Sequence, residues 1–158
     1  MKIIVGGDHA GFPLKQEVVN AIKQLGHEVE DFGCYSSEPI DFPDITKKVC
    51  EAILNKEAER AILVCGTGVG ACIAANKIPG IRASVCHDIY SSHQCVEHDD
   101  VNVMCIGAQI IGPVIMAELV ESFLSATFST EEEFRRRVRK LHAMENEYAH
   151  KIVNLKTN

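Results

Sequence analysis

Residues 61–88 read AILVCGTGVGACIAANKIPGIRASVCHD, and the fold turns on how this stretch is read. The apolar run 61–65 has the length and branched side chains of a buried strand. Three glycines follow within five residues, and residues 68–77 then read as a short helix. A second apolar run, 82–86, closes on His87-Asp88. Strand, glycine loop, helix and strand make one βαβ unit, whose strands are parallel with the helix crossing between them.

The same alternation extends to both sides. Upstream, residues 2–6 and 27–33 read as strands and 12–25 as a helix, with Leu14, Val18, Ile22 and Leu25 on one stripe. Pro13 near the start of that helix and Gly26 past its end suit a helix boundary. Residues 43–56 form a second helix on Ile45, Val49 and Ile53, after an irregular loop over 34–42. Downstream come helix 88–98, strand 102–106 and helix 113–125. Five strands separated by helices predict an α/β fold, a doubly wound five-stranded parallel sheet of the Rossmann-like kind.

The pattern changes after Ser129. Ser129 or Thr130 is suited to cap a helix whose first turn holds Glu131, Glu132 and Glu133. Phe134, Val138, Leu141, Tyr148, Ile152 and Leu155 then recur at steps of three or four, with Glu145 interrupting. This seam runs further than a small sheet can cover, so residues 130–158 are expected to form a long C-terminal helical arm across a partner subunit. Residues 1–129 are expected to form the Rossmann-like domain from which it extends.

The whole chain has 158 residues, is 46% hydrophobic and 24% charged, and carries a formal charge of −6. That balance disfavours nucleic acid and membrane surfaces as partners. No apolar run approaches a membrane span, and the chain opens directly into a strand, so a cytoplasmic location is expected. The seven cysteines are odd in number and lack C-x-x-C spacing, which speaks against a disulfide framework. Cys86, His87, His93, Cys95 and His98 crowd together, yet their spacings fit no standard zinc pattern. Buried thiols and surface histidines are expected there rather than a metal.

The loop CGTGVGACIAANK lacks the Lys-Ser/Thr ending of a P-loop. It formally meets G-x-G-x-x-G/A through Gly66, Gly68 and Ala71, but on the third strand and in a form short enough to arise by chance. What it supplies is a nest of amides from Gly66 to Gly70 at a helix N-terminus, suited to a phosphate or a developing enolate. Cys65 stands beside that nest at the carboxyl edge of the sheet, where open α/β folds bind ligands, and a helix N-terminus lowers a thiol's pKa. Asp8 and His9 follow the first strand, and His98-Asp99 close the fourth helix. Two histidines, a thiol and an oxyanion nest at one sheet edge would open a cyclic sugar, move its proton and hold its anionic end.

The segments GGDHAGFPLK, VEDFG, PDI, CGTGVGACIAANKIPGIRA and EHDDVNVMCIGAQIIG resemble, in order, the motifs of type B ribose-5-phosphate isomerases and the related galactose-6-phosphate isomerase subunits. The resemblance implies aldose–ketose isomerisation through an enediolate with no metal and no organic cofactor. It implies that Cys65 is the base, that Gly66, Thr67, Gly68, Val69 and Gly70 hold the enediolate oxygen and nearby hydroxyls, and that His98 assists ring opening. Asp8 would orient a sugar hydroxyl, with Asp99 beside the hydroxyls, and His9 and Arg137 would bind phosphate. The resemblance further implies a small-molecule sugar phosphate as partner and an assembly of at least a homodimer with sites shared between subunits, so a homodimer or a dimer of dimers is expected.

Three positions depart from the ribose-5-phosphate pattern. Asp99 replaces an asparagine, Gln109 an arginine, and Glu133 the first of two phosphate-binding arginines. Ribose 5-phosphate is the default substrate. Galactose 6-phosphate, allose 6-phosphate, a tetrose phosphate and an unphosphorylated sugar stand as alternatives, as does a non-catalytic subunit of a hetero-oligomer.

Overall fold

The computed structural model describes residues 1–149. Its elements run β1 (Lys2–Gly7), α1 (Phe12–Gln24), β2 (Glu28–Asp31), α2 (Phe42–Leu54), β3 (Arg60–Cys65), α3 (Val69–Ala75), β4 (Ala83–Val85), α4 (Ile89–Asp99), β5 (Val103–Gly107), α5 (Pro113–Ser125) and α6 (Glu132–Tyr148). All five strands pair in parallel, in the order β2-β1-β3-β5-β4. Every strand and helix read from residues 1–129 is present, and a C-terminal helix follows them.

The central strands read as unbroken apolar runs because helices cover both faces of the sheet. Ile3, Val5, Ile62, Val64, Met104 and Ile106 point to one face, where α1, α4 and α5 bring Val18, Val96 and the fully buried Phe123. Ile4, Leu63 and Cys105 point to the other, against Val49 of α2 and Ala71 and Ala75 of α3. The three-residue β4 lies at one margin of the sheet, and β5 is inserted between it and β3.

Chain direction reverses between β1 and β3: from β1 the chain moves outward to β2, and from β3 it moves the opposite way. The carboxyl ends of β1 and β3 therefore flank the crevice where a parallel sheet accepts a ligand. Gly11 lets α1 begin there, because a Cβ at that position would lie 1.9 Å from the Val64 carbonyl oxygen.

The C-terminal helix departs from expectation at its start. Its N-cap is Glu131, with no side-chain cap, while Ser129 Oγ accepts the Glu131 amide at 3.1 Å one step earlier. Of the predicted seam, Val138 is buried against the domain, Phe134 is half-buried, and Leu141 and Tyr148 are exposed. Ile152 and Leu155 lie outside the described residues.

Candidate active site

Cys65 closes β3 with its thiol inside the crevice, 9% exposed. It donates a hydrogen bond to Asp8 Oδ2 at 2.9 Å, and Asp8 Oδ1 accepts the Gly11 amide at 2.9 Å. The buried carboxylate is thus held on one oxygen by the first turn of α1 and presents the other to sulfur. His9, next in chain, accepts the Ile40 amide on Nδ1 at 3.2 Å. That bond leaves the proton of the neutral ring on Nε2, facing away from the loop as a donor.

Burial pushes the Cys65 thiol above its ordinary pKa, and the hydrogen bond and charge of Asp8 push in the same direction. The amides of Gly68 and Gly66 pull it down, but they are outweighed. The expectation of a thiol acidified by the helix N-terminus is therefore corrected. Burial, joined by a carboxylate from another strand end, favours the resting group as a thiol.

The rest of the nest follows the loop. Gly68 takes φ +79°, and a Cβ there would lie 3.1 Å from the Ile106 backbone. This left-handed turn, lying tight on β5, aims successive amides into the crevice. Thr67 and Val69 are exposed at its rim, and Thr67 Oγ1 accepts the Val69 amide at 3.4 Å. Asp8, His9, Cys65, Gly66, Thr67, Gly68, Val69 and Gly70 are thus gathered at one edge.

Two further residues belong to this edge. His87 Nε2 accepts the Gly107 amide at 2.9 Å, and burial lowers the pKa of its ring. It ties the end of β5 to the segment after β4, beside Cys65, whose strand partner is Gly107. Its place just after a strand marks His87 for this edge, although the crowding of Cys86, His93, Cys95 and His98 around it in the sequence first raises the question of a metal. The Gln109 backbone N–H donates to the Gly66 carbonyl at 3.0 Å, and its side-chain Oε1 would lie 3.3 Å from a Cβ on Gly66.

His98, Asp99 and Arg137 are elsewhere. The start of β3 registers with Val103 and its end, Cys65, with Gly107. His98 closes α4, which runs back against the strands and ends at the Val103 side. Arg82, just before β4, donates to the Asp100 carbonyl and carboxylate, each at 2.7 Å, and confirms that placement. Four residues of strand, about 13 Å along its axis, therefore separate the level of His98 from that of Cys65. The expectation that both histidines meet the thiol at one edge of the same chain is corrected, because a helix after a parallel strand ends at the opposite edge.

At that far edge a second cluster forms. The His98 imidazole stacks on Phe134 of α6, with ring centroids 3.9 Å apart and planes 18° from parallel. The Arg137 guanidinium lies 5.4 Å from the centre of the same ring, and Arg137 Nη2 is 3.7 Å from Glu133 Oε2. Asp99 is exposed beside them.

The residues considered for a metal diverge. The Cys86 and Cys95 sulfurs face each other at 3.8 Å in the core, His87 is bound to Gly107, and His93 faces Glu97 at 3.6 Å. Among the described residues, no group of three or more potential ligands is arranged to hold a metal ion. Nor is any helix among them long and apolar enough to cross a membrane.

The model of the ribose/galactose isomerase family matches residues 3–141. Ribose-5-phosphate isomerase B of Escherichia coli is 42% identical over 127 residues, covering 80% of this chain and 85% of that one. D-erythrulose-4-phosphate isomerase of Pectobacterium atrosepticum is 37% identical over 132 residues, covering 81% and 85%. The structure of ribose-5-phosphate isomerase B from Clostridium thermocellum superposes with a TM-score of 0.90 at 41% identity, covering 94% of this chain and 99% of that one.

Proposed function

We propose that this chain, which belongs to the ribose/galactose isomerase family, interconverts an aldose and a ketose phosphate through an enediolate, with ribose 5-phosphate and ribulose 5-phosphate as its pair. The observation that carries this reading is the buried Cys65 thiol, with a carboxylate 2.9 Å away and the amides of Gly66 and Gly68 acting on the same sulfur. Isomerisation moves one proton from C2 to C1 and another from O2 to O1. The Cys65 proton passes to Asp8, and the thiolate takes the C2 proton and returns it to C1. Asp8 then gives its proton back to sulfur, while the Thr67 hydroxyl relays the other proton from O2 to O1.

The amides of residues 66–70 meet the negative oxygen of the intermediate, which removes the need for a metal or organic cofactor. Thr67 bonds the reacting hydroxyls, and Asp8 also orients one of them. His9 donates from Nε2 to the phosphate.

His98 opens the sugar ring, Asp99 contacts hydroxyls and Arg137 binds phosphate, and all three serve the Cys65 of a second copy. In this reading the working unit is a homodimer or a dimer of dimers. Exposed apolar residues beside the glycine loop, Phe42, Val69 and Ile73, support it, as do Leu141 and Met144 on α6. Residues 1–129 act as the isomerase domain and 130–158 as an arm reaching the partner. The enzyme works in the cytoplasm, where charge retains phosphorylated sugars.

Glu133 beside Arg137 favours one second reading, a different sugar phosphate such as a tetrose phosphate. Assaying the purified chain alone on pentose, tetrose and hexose phosphates tests both. Turnover is expected to be fastest on ribose 5-phosphate and to vanish in Cys65→Ala. Faster turnover of another sugar moves the substrate assignment, and no turnover on any of them makes the chain a non-catalytic subunit.

A further inference from the structure

We propose that Phe134 is a positioning residue that sets the plane of the His98 imidazole for ring opening; the inference rests on the reading of His98 given above. The two rings lie face to face at 3.9 Å and 18°, one from α4 and one from α6. A group that takes a proton from one oxygen and gives one to another needs both ring nitrogens at its edge and a fixed plane. A hydrogen-bond partner would fix the plane by occupying a nitrogen. A stacked ring fixes it and leaves both nitrogens uncovered.

The remaining contact agrees. Glu97 Oε2 lies 3.8 Å from His98 Nε2, beyond hydrogen-bond length. Glu97 is held in turn, since its carbonyl accepts the Ser129 amide at 2.9 Å and so anchors the segment that leads into α6. Phe134 also carries the Arg137 guanidinium over its ring at 5.4 Å. One side chain therefore sets the spacing between the ring-opening group and a phosphate-binding cation.

The chemistry of the two substrates separates this role from mere packing. Ribose 5-phosphate is mostly a closed furanose, formed by O4 on C1. Ribulose 5-phosphate is open, because its O5 carries the phosphate and cannot close on C2. Ring opening is thus required from the aldose side alone. From the ketose side, the enzyme is able to release an open aldehyde that closes in solution.

The experiment measures initial rates in both directions for the full chain and for Phe134→Leu, Phe134→Tyr and His98→Asn, with oligomeric state checked by sedimentation. Phe134→Leu keeps apolar volume and removes the flat face. It is expected to lose about tenfold in kcat from ribose 5-phosphate, and less than about twofold from ribulose 5-phosphate. Phe134→Tyr should restore the aldose rate, and His98→Asn should show the same directional split more strongly. If His98→Asn shows the split and Phe134→Leu loses both directions equally, or neither, the stack is only packing and the inference is overturned. If His98→Asn shows no split, the ring-opening role of His98 fails and the inference falls with it.

Discussion

Asp8 Oδ2 and the Cys65 sulfur stand 2.9 Å apart, joined by a thiol hydrogen bond between residues 57 positions apart in the chain. The pair couples the ends of β1 and β3 and decides the protonation of the crevice. A thiolate there would face a carboxylate across hydrogen-bond distance in a buried setting, so the thiol keeps its proton until Asp8 can receive it. This differs from thiols paired with a cation, which rest as thiolates.

The pair makes a prediction in which the sign is informative. Burial and Asp8 both raise the Cys65 pKa, so alkylation of the free protein at Cys65, followed by peptide mass spectrometry, should still accelerate at pH values above the ordinary thiol range. Asp8→Asn removes one of the two causes. Its alkylation curve should move to lower pH while isomerisation falls by about a hundredfold or more. An unmoved curve, or one moved upward, would show that Asp8 does not hold the proton.

The separation of Cys65 from His98 predicts complementation. Assayed from ribose 5-phosphate, where ring opening is required, Cys65→Ala and His98→Asn should each be nearly inactive alone. In a mixed dimer, one site would combine the intact Cys65 of one chain with the intact His98 of the other. Random reassortment makes half the dimers mixed, with one good site in two, so activity should return to about a quarter of wild type. Mixtures that stay inactive after subunit exchange, demonstrated with tagged chains, would place each site within a single protomer.

How much of this was legible in the sequence follows from where each kind of signal resides. A parallel sheet buried on both faces turns its strands into continuous apolar runs, so β1, β3 and β5 announce themselves. The glycine loop is equally local, and Gly66 to Gly70 lie where the spacing put them. His98 was misplaced because helix ends and strand ends were assigned to the same edge, although a helix following a parallel strand returns to the other. The pKa of Cys65 was misread because its dominant polar neighbour comes from another strand, and no local window contains Asp8. The stack of Phe134 on His98 was hidden for the same reason, since α6 appears in the sequence as a seam and its docking face is set by packing on α4.

Gly68 predicts a stability effect. Its φ of +79° is one that side chains rarely adopt, and a Cβ would meet the Ile106 backbone at 3.1 Å. Gly68→Ala should cost about 1–3 kcal/mol in urea unfolding and displace the amides that meet the oxyanion. A variant as stable and as active as the parent would mean that the loop has room to relax.

The ion pair on α6 bears on the substrate. Glu133 sits one turn before Arg137 with oxygen and nitrogen 3.7 Å apart, both side chains exposed, so its own energetic weight is small. Its effect on a phosphate is larger, because it competes for the same guanidinium and adds negative charge beside a dianion. A charge-assisted contact of Arg137 with phosphate contributes roughly 1.5–3 kcal/mol, so Arg137→Ala should lower kcat/KM by about ten- to a hundredfold on the phosphorylated sugar. Glu133→Ala should lower KM for ribose 5-phosphate by removing the competitor, and Glu133→Arg should lower it further by adding a second cation on the same helix face. Both gains should shrink as salt rises, since the groups are exposed. If Arg137→Ala leaves the rate unchanged and unphosphorylated sugars turn over equally well, the cation has no phosphate to hold. Glu133 then marks a site for a neutral sugar, with the proton transfer at Cys65 unaltered.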